Sequence, residues 1–239
     1  MLIKRSKNRT MSNPAISVII PAYEEQKTIG LVLNQTISVM DDLKYPYEIL
    51  VVDDGSKDQT NQIASQHKVT VIANGRNQGK GHALRHGFEH ANGDIIITMD
   101  SDGEHDPKDI PRLLEPVLNG YDLSTGSRYL GDGKDSTYRI NRIGNFIFNA
   151  AISVLTGQKI TDSQSGFRAI KKSVLKELNL TSSGYEIESE MTVKCLRRGY
   201  GLHEHPIRFV RRRYNLSKLK ILNDGARILR TILKSAFTS

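Results

Sequence analysis

Three short apolar runs in the first half of the chain each stop at a cluster of carboxylates. Residues 16–20 run into Pro21-Ala22-Tyr23-Glu24-Glu25, residues 48–52 into Asp53-Asp54-Gly55-Ser56, and residues 94–99 into Asp100-Ser101-Asp102-Gly103-Glu104. Residues 69–73 and 122–125 have the same β-branched character. Continuous apolar runs of this length suit strands buried on both faces. Between them Ile29, Val32, Leu33, Thr36, Val39 and Met40 follow helical spacing, as do Leu84, Phe88 and Ala91. Asp106 followed by Pro107 reads as the cap and first residue of a helix over 107–118. Alternating strands and helices predict an α/β domain with a mostly parallel sheet and right-handed crossovers. Such sheets bind ligands at the carboxyl ends of their strands, so the three acidic clusters are expected on one rim. There they would repel one another unless a cation or a network of donors gathered among them. The second half reads as more helical, over 139–156, 185–198 and 216–234, with a short strand around His203-Glu204-His205.

The 239 residues fit one α/β domain with a short appendage, and 38% hydrophobic residues are enough for a core. The net charge of +8 admits a nucleic acid, a membrane face or a phosphorylated substrate. Its distribution is uneven: cations cluster at Lys4, Arg5, Lys7 and Arg9 and again from Arg208 to Lys220, while acids fill the first half. That half is no nucleic-acid surface, and no nucleic-acid partner is expected. Cys195 is the only cysteine, so no intrachain disulfide forms and a reducing compartment suits the chain; on a helix it reads as core filler. Residues 1–10 are basic without the apolar segment of a signal peptide. No stretch approaches the roughly 18–20 apolar residues of a spanning helix. The expectation is a cytoplasmic protein, either soluble or peripheral on the cytoplasmic membrane face.

The carboxylates at the strand ends carry the chemistry. Asp100 and Asp102, two apart at a strand end, can face one side, and with Glu104 they offer hard oxygens to Mg²⁺ or Mn²⁺. A divalent ion there would stabilise a departing diphosphate. Asp54 can accept from a base N–H or a ribose hydroxyl; Tyr23 offers a ring face to a base and Glu25 an acceptor. Asn77-Gln78-Gly79-Lys80-Gly81 lacks Walker spacing, and no GxGxxG follows the first run, which disfavours a nicotinamide fold. Lys80 either touches a phosphate or merely follows glycines that serve a tight turn. Arg128, in Gly126-Ser127-Arg128, has a fork suited to phosphate oxygens. His105 reads as shaping the turn, and His203 with His205 as ordinary strand histidines or a zinc pair.

In order along the chain, ISVIIPAYEE, VVDDGSKDQT, NQGKGHALRHG, MDSDGEHDP, GSRY and DSQSGFRA resemble the motif series of inverting family 2 glycosyltransferases with the GT-A fold, over residues 16–220. The pattern is most similar to the dolichyl-phosphate mannose synthase and polyprenyl-phosphate glycosyltransferase branch. There an R-x-Y-G-x-SKL segment closes the site; this chain has Arg212-Arg213-Tyr214-Asn215-Leu216-Ser217-Lys218-Leu219, with asparagine where glycine is usual. The resemblance implies a GT-A catalytic domain over 15–212, preceded by a basic flexible tail at 1–14. Residues 213–239 would form a basic amphipathic helix, whose stripe of Leu219, Leu222, Ala226, Leu229 and Leu233 suits either an anionic membrane surface or the protein's own core.

The resemblance also assigns residues. Pro21, Tyr23, Glu25, Val52 and Asp54 would hold the nucleotide, and Asp100, Ser101, Asp102 and Glu104 the metal and diphosphate. Arg128 and Arg142 would grip the acceptor phosphate, and Arg212 and Lys218 would close over the donor. Mannose synthases usually carry glutamine at the position of Glu104, so the donor stays open between a UDP- and a GDP-sugar, and the sugar between a hexose and an N-acetylhexosamine. A polyprenyl or dolichyl phosphate acceptor is already ionised and needs no base. The alternative, a hydroxyl of a glycan or small molecule, needs one, with Glu188 or Asp162 as candidates.

Overall fold

The computed structural model describes residues 15–130, 139–208 and 221–238. The predicted strands of the first half all form, as β1 (Ile16–Ala22), β2 (Tyr47–Asp53), β3 (Thr70–Ala73), β4 (Ile95–Thr98) and β5 (Leu123–Ser127). They alternate with α1 (Ile29–Leu43), α2 (Thr60–Ala64), α3 (Lys80–His90) and α4 (Ile110–Leu118). Asp106 accepts from Lys108 N, as its reading as a cap requires, but the turn it opens (Pro107–Asp109) is a 3₁₀ turn that leads into α4. The second half adds α5 (Arg139–Thr156), β6 (Arg168–Lys171), α6 (Lys172–Leu178), α7 (Ile187–Arg197), β7 (Leu202–Pro206) and α8 (Ile221–Phe237).

The strands order as β3-β2-β1-β4-β6-β5-β7 in one sheet. All neighbours are parallel except β6, which runs antiparallel to both β4 and β5. The sequence did not point to β6, because only Ala169 and Ile170 of its four residues are apolar. It is nevertheless central, and being flanked on both sides buries it. Its reversal matters for function: the loop entering β6, rather than the one leaving it, lies on the rim with the acidic clusters. Pro21 stays within central β1 because the ladder with β4 stops at Ile19↔Thr98. Beyond that point the N–H that proline lacks has no ladder to break.

Alternation along the strands splits the core in two. Ile16, Val18 and Ile20 face α1 and α4, while Ile19, Leu50, Val52 and Ile96 face α3, α6 and α7. A third cluster joins Ile152 of α5, Val193 and Leu196 of α7, and Ile228, Ile232 and Ala236 of α8. The expected stripe on α8 is thus rotated: Ile228 and Ile232 turn inward while Leu229 and Leu233 are exposed. Cys195 is core filler, fully buried, with its thiol pushed up to about 12 by desolvation.

Gly87 brings α3 against the sheet, since a Cβ there would stand 2.6 Å from Ile19 Cγ2 and 3.1 Å from Val52 Cγ2. Gly87→Ala should therefore overpack this contact and lower stability by about 1–3 kcal/mol, measured by denaturant unfolding.

Candidate active site

Backbone and hydroxyl donors stitch the three carboxylate-bearing loops together. Asp54 N donates to Ala22 O at 2.8 Å, Glu24 N to Ser56 Oγ at 2.9 Å, and Ser101 Oγ to Pro21 O at 2.9 Å. Gly55 lets the loop after β3 close in. Its φ is +77°, and a Cβ would stand 2.5 Å from the carbonyl carbon of Arg76. The acidic rim expected from the sequence is therefore present.

Each carboxylate has its own surroundings. Asp54 is buried and accepts from Asn74 Nδ2 (2.8 Å), Gln78 N (3.0 Å) and Gly79 N (2.8 Å), so it anchors the Gln78–Gly79 loop. Asp53 accepts from Ser56 N and Asn61 Nδ2. Glu25 is buried, with Thr28 Oγ1 3.2 Å from Oε2. Tyr23 is partly buried, and burial followed by the charge of Glu24 raises its pKa. The Val52 side chain lies in the core beneath α3, so any contact of this residue with a nucleotide would use its backbone. Asp102 is buried and accepts from Glu104 N at 2.9 Å. His105 stacks on Phe167 and lies 3.4 Å from Asp100 N through Nδ1, a turn-shaping role; burial lowers its pKa.

Asp100 is held by a cation. Its Oδ1 lies 2.6 Å from Lys80 Nζ, which also reaches Glu188 Oε1 on α7 at 2.8 Å. Burial would raise the Asp100 pKa, but the Lys80 ammonium, helped by His105, overrides it and holds the carboxyl at about 2. Burial likewise opposes the charge on Lys80, and the two carboxylates outweigh it, leaving its pKa raised. The bridge between Asp100 and Glu188 was not legible in the sequence, where Lys80 appeared only as a possible phosphate contact.

On the other side of the rim Arg128 is paired with Asp162. Arg128 Nε donates to Asp162 Oδ2 at 2.7 Å, Nη2 to Oδ1 at 2.8 Å, and the backbone N to Oδ2 at 3.0 Å. The loop before β6 is fixed from several elements. Glu204 on β7 accepts from the backbone N of Thr161 and Asp162, and Asn149 on α5 binds Thr161 O and Ser163 N. Arg168, 1% exposed, donates to Ser165 O, Ser163 O and Thr192 Oγ1. Its importance was missed, although it is the next-to-last residue of the quoted motif DSQSGFRA. His203 and His205 stand with rings 6.3 Å apart on β7. Among the described residues no group of three His, Cys, Asp or Glu side chains converges as a metal cage. Arg142 lies on α5, but its side chain, like Arg212 and Lys218, falls outside the described residues.

A seven-stranded sheet of this order, with a carboxylate rim opposite an arginine-bearing loop, defines the GT-A class of α/β fold. The profile described as "Glycosyl transferase family 2" matches residues 17–179, and the chain belongs to that family. An uncharacterized protein of Methanocaldococcus jannaschii is 36% identical over 95% of this chain and 94% of its own length. The dolichol-phosphate mannosyltransferase of Pyrococcus furiosus and the glycosyltransferase AglJ of Haloferax volcanii are each 34% identical, over 75% and 77% of this chain. The matches span only 52% and 59% of those relatives' lengths. Among solved structures, glucosyl-3-phosphoglycerate synthase from Mycobacterium tuberculosis, in complex with Mn²⁺, UDP and phosphoglyceric acid, superposes with a TM-score of 0.77. That match has 23% identity and covers 94% of this chain and 79% of the other, a likeness of fold.

The depressed Asp100 pKa makes a pH prediction. A carboxyl whose folded pKa lies below its unfolded value of about 3.9 stabilises the fold above that pH and loses the contribution as pH falls toward 2. Asp100→Asn should remove this limb from a plot of unfolding free energy against pH, leaving the curve flatter below pH 4.

Proposed function

We propose that the protein is an inverting glycosyltransferase that moves a sugar from a UDP- or GDP-sugar to a polyprenyl phosphate of the dolichyl type. The observation that carries this reading is that both candidate bases are committed to cations, Glu188 to Lys80 and Asp162 to Arg128. A hydroxyl acceptor would require one of these pairs to open. A phosphate acceptor is ionised near neutral pH and needs only orientation and charge stabilisation. Arg128 is oriented by the bonds of its Nε and Nη2 to Asp162 and stands at the loop where such a phosphate would arrive. The Pyrococcus furiosus relative named for dolichol phosphate supports the same choice.

On the donor side, Tyr23 and Glu25 flank a base, with Asp54 holding the loop beside it, while Asp100 and Asp102 face the diphosphate. A divalent ion needs only one or two carboxylates when phosphates complete its shell. Asp102 and Glu104, with Asp100, are hard oxygen donors at one strand end, so the residues fit Mg²⁺ or Mn²⁺. When bound, that ion would neutralise the departing diphosphate. The mycobacterial neighbour of the same fold, crystallised with Mn²⁺ and UDP, supports divalent metal use. Arg142, Arg212 and Lys218 complete the proposed set as further cations for phosphate.

Purified protein should yield a lipid-linked sugar, identified by mass, from one UDP- or GDP-sugar and a short polyprenyl phosphate, and EDTA should abolish it. No lipid-linked product from any donor overturns the reading. Glu188→Gln should cost less than about tenfold in kcat with the phosphate acceptor, whereas loss of a general base costs about 10²–10⁴-fold.

A membrane-face location fits the surface. Ile143, Phe146 and Ile147 of α5 and Leu229, Leu233 and Phe237 of α8 are exposed, with Arg227, Arg230 and Lys234 also on the α8 surface. Among the described residues no helix is long and apolar enough to cross a membrane. Apolar side chains beside cations suit an anionic bilayer surface. Phe146→Ser with Phe237→Ser should weaken co-sedimentation with anionic vesicles at least about tenfold, and unchanged sedimentation would count against this location.

A further inference from the structure

The N-terminus of α3 is wedged between the two halves of the rim. A Cβ on Gly81 would stand 2.6 Å from Ser182 O and 2.8 Å from Gly184 O, so α3 lies directly on that backbone. His82 N donates to Ser183 O at 3.1 Å, and Arg85 Nε to Ser182 O at 3.2 Å. The same segment is tied to α7, where Glu190 accepts from Thr181 N and Ser182 N. Lys80 opens α3 at this seam and reaches β4 through Asp100 and α7 through Glu188. Gly166, in the loop before β6, closes the third side. A Cβ there would stand 2.8 Å from Lys80 Nζ and 2.9 Å from each Asp100 carboxylate oxygen. Thr98 Oγ1 fixes Gly166 by donating to its carbonyl at 2.7 Å.

We propose that Lys80 is a positioning residue: its ammonium sets the separation between Asp100 on the nucleotide side and Glu188 on the acceptor side, and so fixes the gap in which the sugar is transferred. The inference rests on the glycosyl-transfer reading above. A compact ammonium with three rotatable donors suits the task, whereas a planar guanidinium would press on Gly166. Without the charge, the buried Glu188 carboxylate and the partly buried Asp100 carboxylate face each other and repel, and the acceptor half shifts relative to the donor half. The competing role is direct contact of Lys80 with the donor diphosphate. The two roles part company in nucleotide affinity.

Lys80→Met keeps length and volume and removes the charge. Its kcat should fall about 100-fold while the Kd for UDP or GDP, by calorimetry, stays within about threefold. Lys80→Met with Glu188→Gln should regain at least about tenfold of that loss, because the repulsion has gone. Gly166→Ala, which presses a methyl group onto the Lys80–Asp100 pair, should lower kcat about tenfold alone and add nothing to Lys80→Met. Gly166→Ala alone keeps the inference testable even if Lys80→Met folds poorly: an unchanged kcat in that variant overturns it. Rates are read both with polyprenyl phosphate and as slow hydrolysis of the donor by water. A nucleotide Kd that weakens in step with kcat puts the ammonium on the diphosphate and overturns the inference. Additive cycles overturn it equally. Coupling seen in hydrolysis without any lipid-linked product would sink the acceptor reading and leave the positioning role standing.

Discussion

Carboxylates crowded at the end of a parallel sheet are a cost unless something answers them, and here the chain answers several of them itself. Asp54 collects donors from the loop after β3, Asp100 takes the Lys80 ammonium, Asp162 takes the Arg128 fork, and Glu204 takes two backbone N–H groups. Each bond joins segments far apart in sequence. Neutralising the rim and assembling it are therefore one process, and the loops keep their shape through charge pairing as well as through packing.

The division of labour among similar-looking acids follows from these partners. Asp53 and Asp54 are adjacent and chemically identical, yet one caps the turn into α2 while the other anchors the glycine loop ahead of α3. Asp100 and Asp102 differ in the same way: one is cation-paired, and the other is folded over the Glu104 amide. A lysine that bridges both halves of the rim holds them as one body, whereas two separate ion pairs would let each half relax alone.

Much of this was legible in the sequence. β-branched runs placed five strands, and helical periodicity placed α5 at its observed bounds. Local hydrophobic pattern decides such elements, and local pattern is what a sequence displays. The rim was legible too, because parallel strands bring their ends together. β6 was not, since Arg168 and Lys171 mask a strand whose burial comes from its neighbours. The inward register of α8 was ambiguous because isoleucine and leucine lie on adjoining faces, and only the docking of Ile228 and Ile232 on α5 and α7 chooses between them. The partners of Lys80, Asp54 and Arg128 are long-range pairings that no local spacing encodes.

The Arg128–Asp162 pair also closes a ring of chain. It fastens the point where the backbone leaves β5 to the point where it returns toward β6, with α5 lying between. Closing such an excursion costs conformational entropy that grows only logarithmically with its length, about 0.6 kcal/mol for each doubling. A staple at the neck thus works alongside Asn149 of α5, which holds the same returning loop from inside the ring. Evolution could lengthen the connection between β5 and α5 while leaving the strand ends of β1, β2 and β4 untouched.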